Sequence, residues 1–515
     1  MQFPYLVRAS NNAKSFKLTL AAIISIGHLV ALFSYGATFW VDGIIYLDMA
    51  HYLMTGNLSQ FYSPIMTCIA SHFPLLPSLI WTLLYPVFAN FTWIIFASIQ
   101  HLVAGVGLFY LILALRKYLA KTPLLIATVV LICYPFYQSF HNMVMTESLA
   151  SSFLIIMVAA SIFVASKSKR ILLHEMIFMG ATFLGIQSRP QIALFALGLI
   201  FFQVFSLRTK LWKYVMLGIF VVFSYFAFPL LRWATTGEFF QPSIACLSVR
   251  TSLMSQIGQS NPKAVEIISQ YDFPEVIAPS ESIVEGLTYE QSLAWSNYLI
   301  GKGMSEKQAN LYMQKIANEI RFSDMESITS QIDSAFSGIG LLNLGLFHRQ
   351  NEVISEGMTK EYWTRHYTNH YRWLSWTSEA DHTDIFDDFT NRFIAIGWYN
   401  LDSINMMIVT MRPYISKSIL GRDIFYLSKI PTDLFTLLWL IGIISLIRHR
   451  LLLLASALGI PVVINYFVVL FVGFGNIRYF YLAAPFVVIT ATITAWDIVA
   501  LIRSKILLKR KIVID

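Results

Sequence analysis

Seven of the 29 acidic residues lie outside one long polar segment: Asp42, Asp48, Glu147, Glu175, Asp433, Asp497 and Asp515. Asp42, Asp48 and Glu147 fall at the ends of apolar runs that the charge pattern sets on one face of a bilayer. Three isolated arginines, Arg189, Arg232 and Arg478, fall on the same face. Carboxylates and guanidiniums are costly at a lipid boundary, so each needs a partner or a task. A few acids facing a few arginines, with hydrocarbon beneath, suit a site for a phosphate-bearing lipid. The carboxylate can take a proton and the planar guanidinium fork can hold a phosphate.

Asp42 and Asp48 sit in FWVDGIIYLDMAHYLMTGN. Their six-residue spacing does not place them on one helical face, and they converge only if the segment bends near Gly43. Asp48, among Tyr46, His51 and Tyr52, is the candidate base, because partial desolvation raises a carboxyl pKa toward the useful range. The plainer alternative is an interfacial helix with an N-capping Asp and aromatic anchors. Glu147, in HNMVMTESLASS, opens an apolar run. It is a second candidate carboxylate, or simply an acid that complements a helix dipole. His141 in that stretch and Tyr52 in the first are candidate sugar contacts. Arg189 in SRPQ and Arg478 in GNIRYF are each the single charge of a short turn. Both are candidates for bidentate phosphate binding, with snorkelling to headgroups as the alternative, and Arg232 can serve in the same way.

Metal ligation is left unassigned. His366 and His370 have the i,i+4 spacing that zinc uses, yet no third ligand stands at helical spacing. Asp384, Asp387 and Asp388 could meet calcium or form a solvated acidic face. A divalent cation is therefore compatible with the chain, without a defined ligand set. Cys68, Cys133 and Cys246 fit no metal motif, and Cys68 and Cys246 can share an oxidising compartment, paired or inert.

The elements that must position these residues are apolar. The 515 residues are 56% hydrophobic and 13% charged, and runs near 20 residues recur. This predicts an all-α polytopic membrane protein. The bases outside the polar segment cluster in short turns, so they set topology and are no nucleic-acid footprint. Placing every cluster on one side gives ten spans, roughly 18–38, 92–115, 123–139, 148–165, 172–187, 190–206, 213–231, 432–447, 451–472 and 480–502. The first run lacks a cleavage site and reads as a retained span. FPLLPSLIWTLLYPVF, broken by prolines, reads as an interfacial helix within an outer loop at 39–91. The chain thus divides into a seven-span module (1–232), a large, mostly helical outer domain between spans seven and eight (233–431), and a three-span module with a basic tail (432–515). Both termini are then cytoplasmic. Neither GxxxxGK[ST] nor GxGxxG occurs, which argues against a nucleotide donor.

The ordered set of YLDMAHY in an outer loop, HFPLLPSLIWTLL, the basic turn LALRKYL, TESL, QSRPQ and a late RYF with Pro485 resembles the C-type integral-membrane glycosyltransferases (GT-C). That superfamily includes protein mannosyltransferases, the lipid A aminoarabinose transferase and phage-encoded O-antigen glucosyltransferases. The likeness spans roughly the first 210 residues. It departs from the family in two ways: YLDMAHY lacks an adjacent acidic pair, and the large polar domain lies between spans rather than at the end. The resemblance implies a bacterial inner-membrane enzyme with its active site facing the periplasm. The donor would be a polyprenyl-phosphate sugar and the acceptor a glycan or glycolipid such as lipopolysaccharide. Asp48 would be the base, Glu147 its support, and Arg189 and Arg478 the phosphate ligands. Two other readings remain open: an O-antigen ligase or polymerase using lipid-diphosphate glycans, and a lipid-linked sugar transporter or flippase.

Overall fold

The computed structural model describes residues 13–35, 46, 50, 53–54, 75–88, 92–134, 137–138, 140–142, 146–166, 170–207, 211–236, 266–267, 270–271, 298–299, 301–321, 323, 432–472 and 481–512. At some helix ends, Arg232 among them, it describes the backbone alone. Among these residues the structure is helical, with no strand. The helices are α1 (Ala13–Tyr35), α2 (Leu75–Phe88), α3 (Thr92–Leu115), α4 (Lys121–Ile132), α5 (Thr146–Ala165), α6 (Ile171–Ser188), α7 (Ile192–Leu207), α8 (Leu211–Thr236), α9 (Glu306–Arg321), α10 (Thr432–Arg448), α11 (Leu452–Val472) and α12 (Ala484–Ile512). A 3₁₀ turn, Phe140–Asn142, precedes α5. Five helices are long and apolar enough to cross a membrane, within α1, α3, α5, α6 and α12. Six shorter apolar helices accompany them.

α5 is the axis of the bundle. It packs against α3, α6, α7 and α11, and 18 of its 20 residues are buried. Its sequence explains this position. Alanine and serine leave room for close helix approach, which packing between helices in lipid rewards. Two of its serine hydroxyls find acceptors on their own helix, Ser152 Oγ to the Ser148 carbonyl at 2.7 Å and Ser161 Oγ to the Val158 carbonyl at 2.7 Å. Ser148 Oγ instead meets His141. The outer faces are apolar, with Leu83 at 74% and Val87 at 72% exposure on α2 and Phe201 at 65% on α7. Faces of that kind suit lipid and are a liability in water.

The short helix α2 lies where the sequence placed an interfacial helix. It packs on α3 and buries Trp81 against Phe96, with ring centroids 6.0 Å apart. One expected span is shorter than predicted. The run at 123–139 stops at Ile132, with Cys133 as C-cap. Tyr134 precedes Pro135, and the residue before a proline is pushed out of the helical region. The chain then turns back over the bundle end at Tyr137 and the 3₁₀ turn instead of continuing outward.

In the polar segment, KQANLYMQKIANEI forms α9, as its three-to-four periodicity predicts. The DIFDDFTNRF stretch, His366, His370, Asp384, Asp387 and Asp388 lie outside the described residues, as do Cys68 and Cys246; Cys133 is a free thiol.

Candidate functional site

The first turn of α5 brings Glu147 under the α6–α7 connection. Gly185 makes this approach possible, because a Cβ there would meet Ile192 Cγ2 at 2.9 Å and Phe153 Cβ at 3.3 Å. Arg189 follows as the C-cap of α6, extended at φ −153° and ψ 117°, with its N–H donating to the Gly185 carbonyl. Its guanidinium Nη2 reaches Glu147 Oε1 at 3.0 Å, and the two side chains are 10% and 1% exposed. Arg189 therefore does not snorkel outward; it is folded into a buried ion pair. Thr146 Oγ1 donates to the other carboxylate oxygen, Oε2, at 3.3 Å.

Two distant segments arrive at the same place. Tyr46, from YLDMAHY, is buried, and its hydroxyl donates to Thr146 Oγ1 at 3.5 Å. Tyr481, three residues after Arg478, is fully buried, and its hydroxyl donates to the Tyr137 carbonyl at 2.8 Å.

Behind Glu147 stands a buried imidazole cluster. His141 is wholly enclosed; its Nδ1 lies 2.7 Å from Ser148 Oγ, its Nε2 lies 3.4 Å from the Tyr481 hydroxyl, and its carbonyl accepts from Gln100 Nε2. His28 of α1 and His101 of α3 complete it, with Nδ1 atoms 2.9 Å apart and the three ring centroids 5.2–5.4 Å from one another. Burial first, then the neighbouring His101 and His28, hold His141 well below its usual pKa. The ring is therefore neutral at physiological pH. Among the described residues, no group of three His, Cys, Asp or Glu side chains is arranged to hold a metal ion.

Of the expected site residues, Glu147, Arg189 and His141 come together at one end of the bundle. Arg232 lies in α8, four residues before its end at Thr236, and its side chain is outside the described residues. Asp42, Asp48, Tyr52 and Arg478 lie outside the described residues. The sequence reading gave Glu147 and Arg189 separate tasks, and the structure pairs them. It also adds His28 and His101, which that reading passed over. Their signal was available, since a histidine inside an apolar run must find a polar partner. Chemically, the arrangement fixes one guanidinium and one carboxylate in a low-dielectric setting, where charge on a ligand is felt strongly. Compared with known proteins, the chain matches no family model, no curated protein and no solved structure.

Proposed function

We propose that the protein is an inverting glycosyltransferase that moves a sugar from a polyprenyl-phosphate donor to a glycan or glycolipid acceptor, such as lipopolysaccharide, on the periplasmic face of a bacterial inner membrane. In this reading ten helices span the bilayer, α2 lies in the interface, and both termini are cytoplasmic. The observation that carries the reading is the convergence, at one end of the bundle, of the buried Glu147–Arg189 pair with Tyr46 and Tyr481. Those two tyrosines come from the segments that hold Asp48 and Arg478.

The chemistry follows from the residue types. Asp48 takes the proton of an acceptor hydroxyl, and that oxygen attacks the anomeric carbon. The bond from this carbon to the phosphate oxygen breaks, and the electron pair leaves with the lipid phosphate. Negative charge grows on that phosphate as the bond breaks, so fixed cations there lower the barrier. Arg189 and Arg478 supply them, and Glu147 orients the Arg189 fork. A divalent cation is compatible with this scheme but is given no step.

A second reading, a lipid-linked sugar transporter, draws support from the buried His28–His101–His141 cluster, since ionisable groups within spans often mark transport paths. Mass spectrometry of surface glycans and membrane lipids, from cells with and without the protein, separates the two. Transferase activity predicts loss of one sugar from a glycan and accumulation of its monophosphate-linked lipid donor. An unchanged glycan inventory in the deletion contradicts the transferase reading.

A further inference from the structure

A crevice of about 330 Å³ opens at the other end of the bundle, between α4, α10, α11 and α12. The basic turn Arg448–His449–Arg450 borders it, and Lys121 stands at the start of α4 on the same side. Asp497, in its wall, lies 13 residues beyond the start of α12, about 20 Å along the axis from the Tyr481 end. The crevice is thus distinct from the site described above.

Most of its lining is apolar, as pockets for organic ligands usually are. Its polar groups are few and placed in order. Thr490, Thr494 and Asp497 follow one another at i, i+4 and i+7, on one face of α12. Gly442 of α10 lies against the two threonines, where a Cβ would collide with Thr494 Oγ1. The missing side chain lets α10 pack closely over the two threonines. Thr490 is 3% exposed, and its hydroxyl has no hydrogen-bond partner among the described residues. The half-buried Asp497 carboxylate forms no ion pair or hydrogen bond among them either. An orphaned hydroxyl and an orphaned carboxylate in an apolar wall are costly unless a ligand brings donors to them.

The rim carries the opposite charge. Arg448 lines the mouth. Arg450 holds φ 59°, a left-handed position where glycine is cheaper, and its N–H and that of Leu451 close the α10 end on Ile447 and Leu446. The chain keeps a cation there at some backbone cost. One carboxylate inside, cations at the rim and a hydrocarbon-lined groove complement an amphiphile that carries one ammonium and one phosphate on an alkyl chain.

We propose that this crevice binds an amine-bearing phospholipid, with its ammonium on Asp497, its phosphate on the Arg448 turn and an acyl chain along the groove. The proposal does not depend on the transferase reading. Native mass spectrometry of the purified full chain, with equal amounts of phosphatidylethanolamine and phosphatidylglycerol, tests it. The expected result is preferential retention of the ethanolamine lipid by roughly tenfold, the scale of one charged hydrogen bond. Asp497→Asn should bring the ratio to about one. Arg448→Ala should weaken both lipids alike. Should Asp497→Asn fold poorly, the wild-type protein still decides with the N-trimethylated choline lipid, whose cation cannot donate a hydrogen bond and which should be retained less. Equal retention of all three lipids by the wild-type chain overturns the proposal. So does an ethanolamine preference that survives Asp497→Asn in a folded protein.

Discussion

Two carboxylates inside the helical bundle face opposite circumstances. Glu147 is 1% exposed and holds a guanidinium at 3.0 Å, with a threonine hydroxyl on its other oxygen. Asp497 is half-buried in an apolar wall without a partner among the described residues. The first carboxylate is paired within the fold, and removing either member of the pair strands the other. The second has no such partner among the described residues, and an apolar wall makes its charge costly. One end of the bundle therefore holds a paired electrostatic frame, and the other a carboxylate unpaired among the described residues.

The largest effect should come from breaking the frame. Glu147→Ala leaves Arg189 charged and buried, and should lower stability by roughly 3–5 kcal/mol. Asp497→Asn removes an unpartnered charge and should change stability by less than about 1 kcal/mol. Chemical denaturation in matched detergent measures both. Adding Arg189→Ala to Glu147→Ala should recover part of the loss, because the stranded charge disappears with its partner. Additive losses would remove the frame from the account.

A smaller effect separates the frame from a phosphate site. Arg478→Ala, which leaves the Glu147–Arg189 pair intact, should weaken binding of polyprenyl phosphate by roughly 1.5–3 kcal/mol without altering stability. Arg478→Lys should recover only part of it, since lysine keeps the charge but loses the fork. Isothermal titration with the sugar-free product lipid reads this directly, and unchanged affinity in both variants contradicts a phosphate role for Arg478.

The smallest effect is a pH dependence. His141 stays neutral in the fold, whereas in the unfolded chain it takes a proton near its ordinary pKa of about 6.5. The unfolded state then binds more protons, so stability should fall as pH drops below about 6.5, by up to ~1.4 kcal/mol per pH unit for one group. Stability against pH from 7.5 to 5 measures the slope, and His141→Gln should flatten it. A stability that rises on acidification contradicts a neutral buried His141.

How much of this could be read in advance varies by element. The runs at 92–115, 148–165 and 432–447 coincide closely with α3, α5 and α10, because apolar length and composition are local properties. The run at 123–139 overshot, because hydrophobicity continues past Ile132 while the backbone obeys Pro135. Glu147, Arg189 and His141 were recognisable as polar residues at the ends of apolar runs. Their association was not: Glu147 and Arg189 are 42 residues apart, and His28 and Tyr481 reach His141 from opposite ends of the chain. Local spacing carries no record of which helix ends meet. The burial of α5 was also hidden, since its serines resemble surface residues until Ser152 and Ser161 are seen to bond within the helix and Ser148 to His141.

The proposed function rests above all on transfer from a lipid monophosphate through Asp48. The direct measurement is release of polyprenyl phosphate from a radiolabelled polyprenyl-phosphate sugar by the purified chain in proteoliposomes, with acceptor glycolipid added, for the parent and for Asp48→Asn. The amide cannot take the acceptor proton, so the account predicts acceptor-dependent release by the parent and a rate roughly 10²–10⁴ lower in the variant, with stability unchanged. Near-parental release by Asp48→Asn, or none by the parent with any lipid-monophosphate sugar, would contradict it.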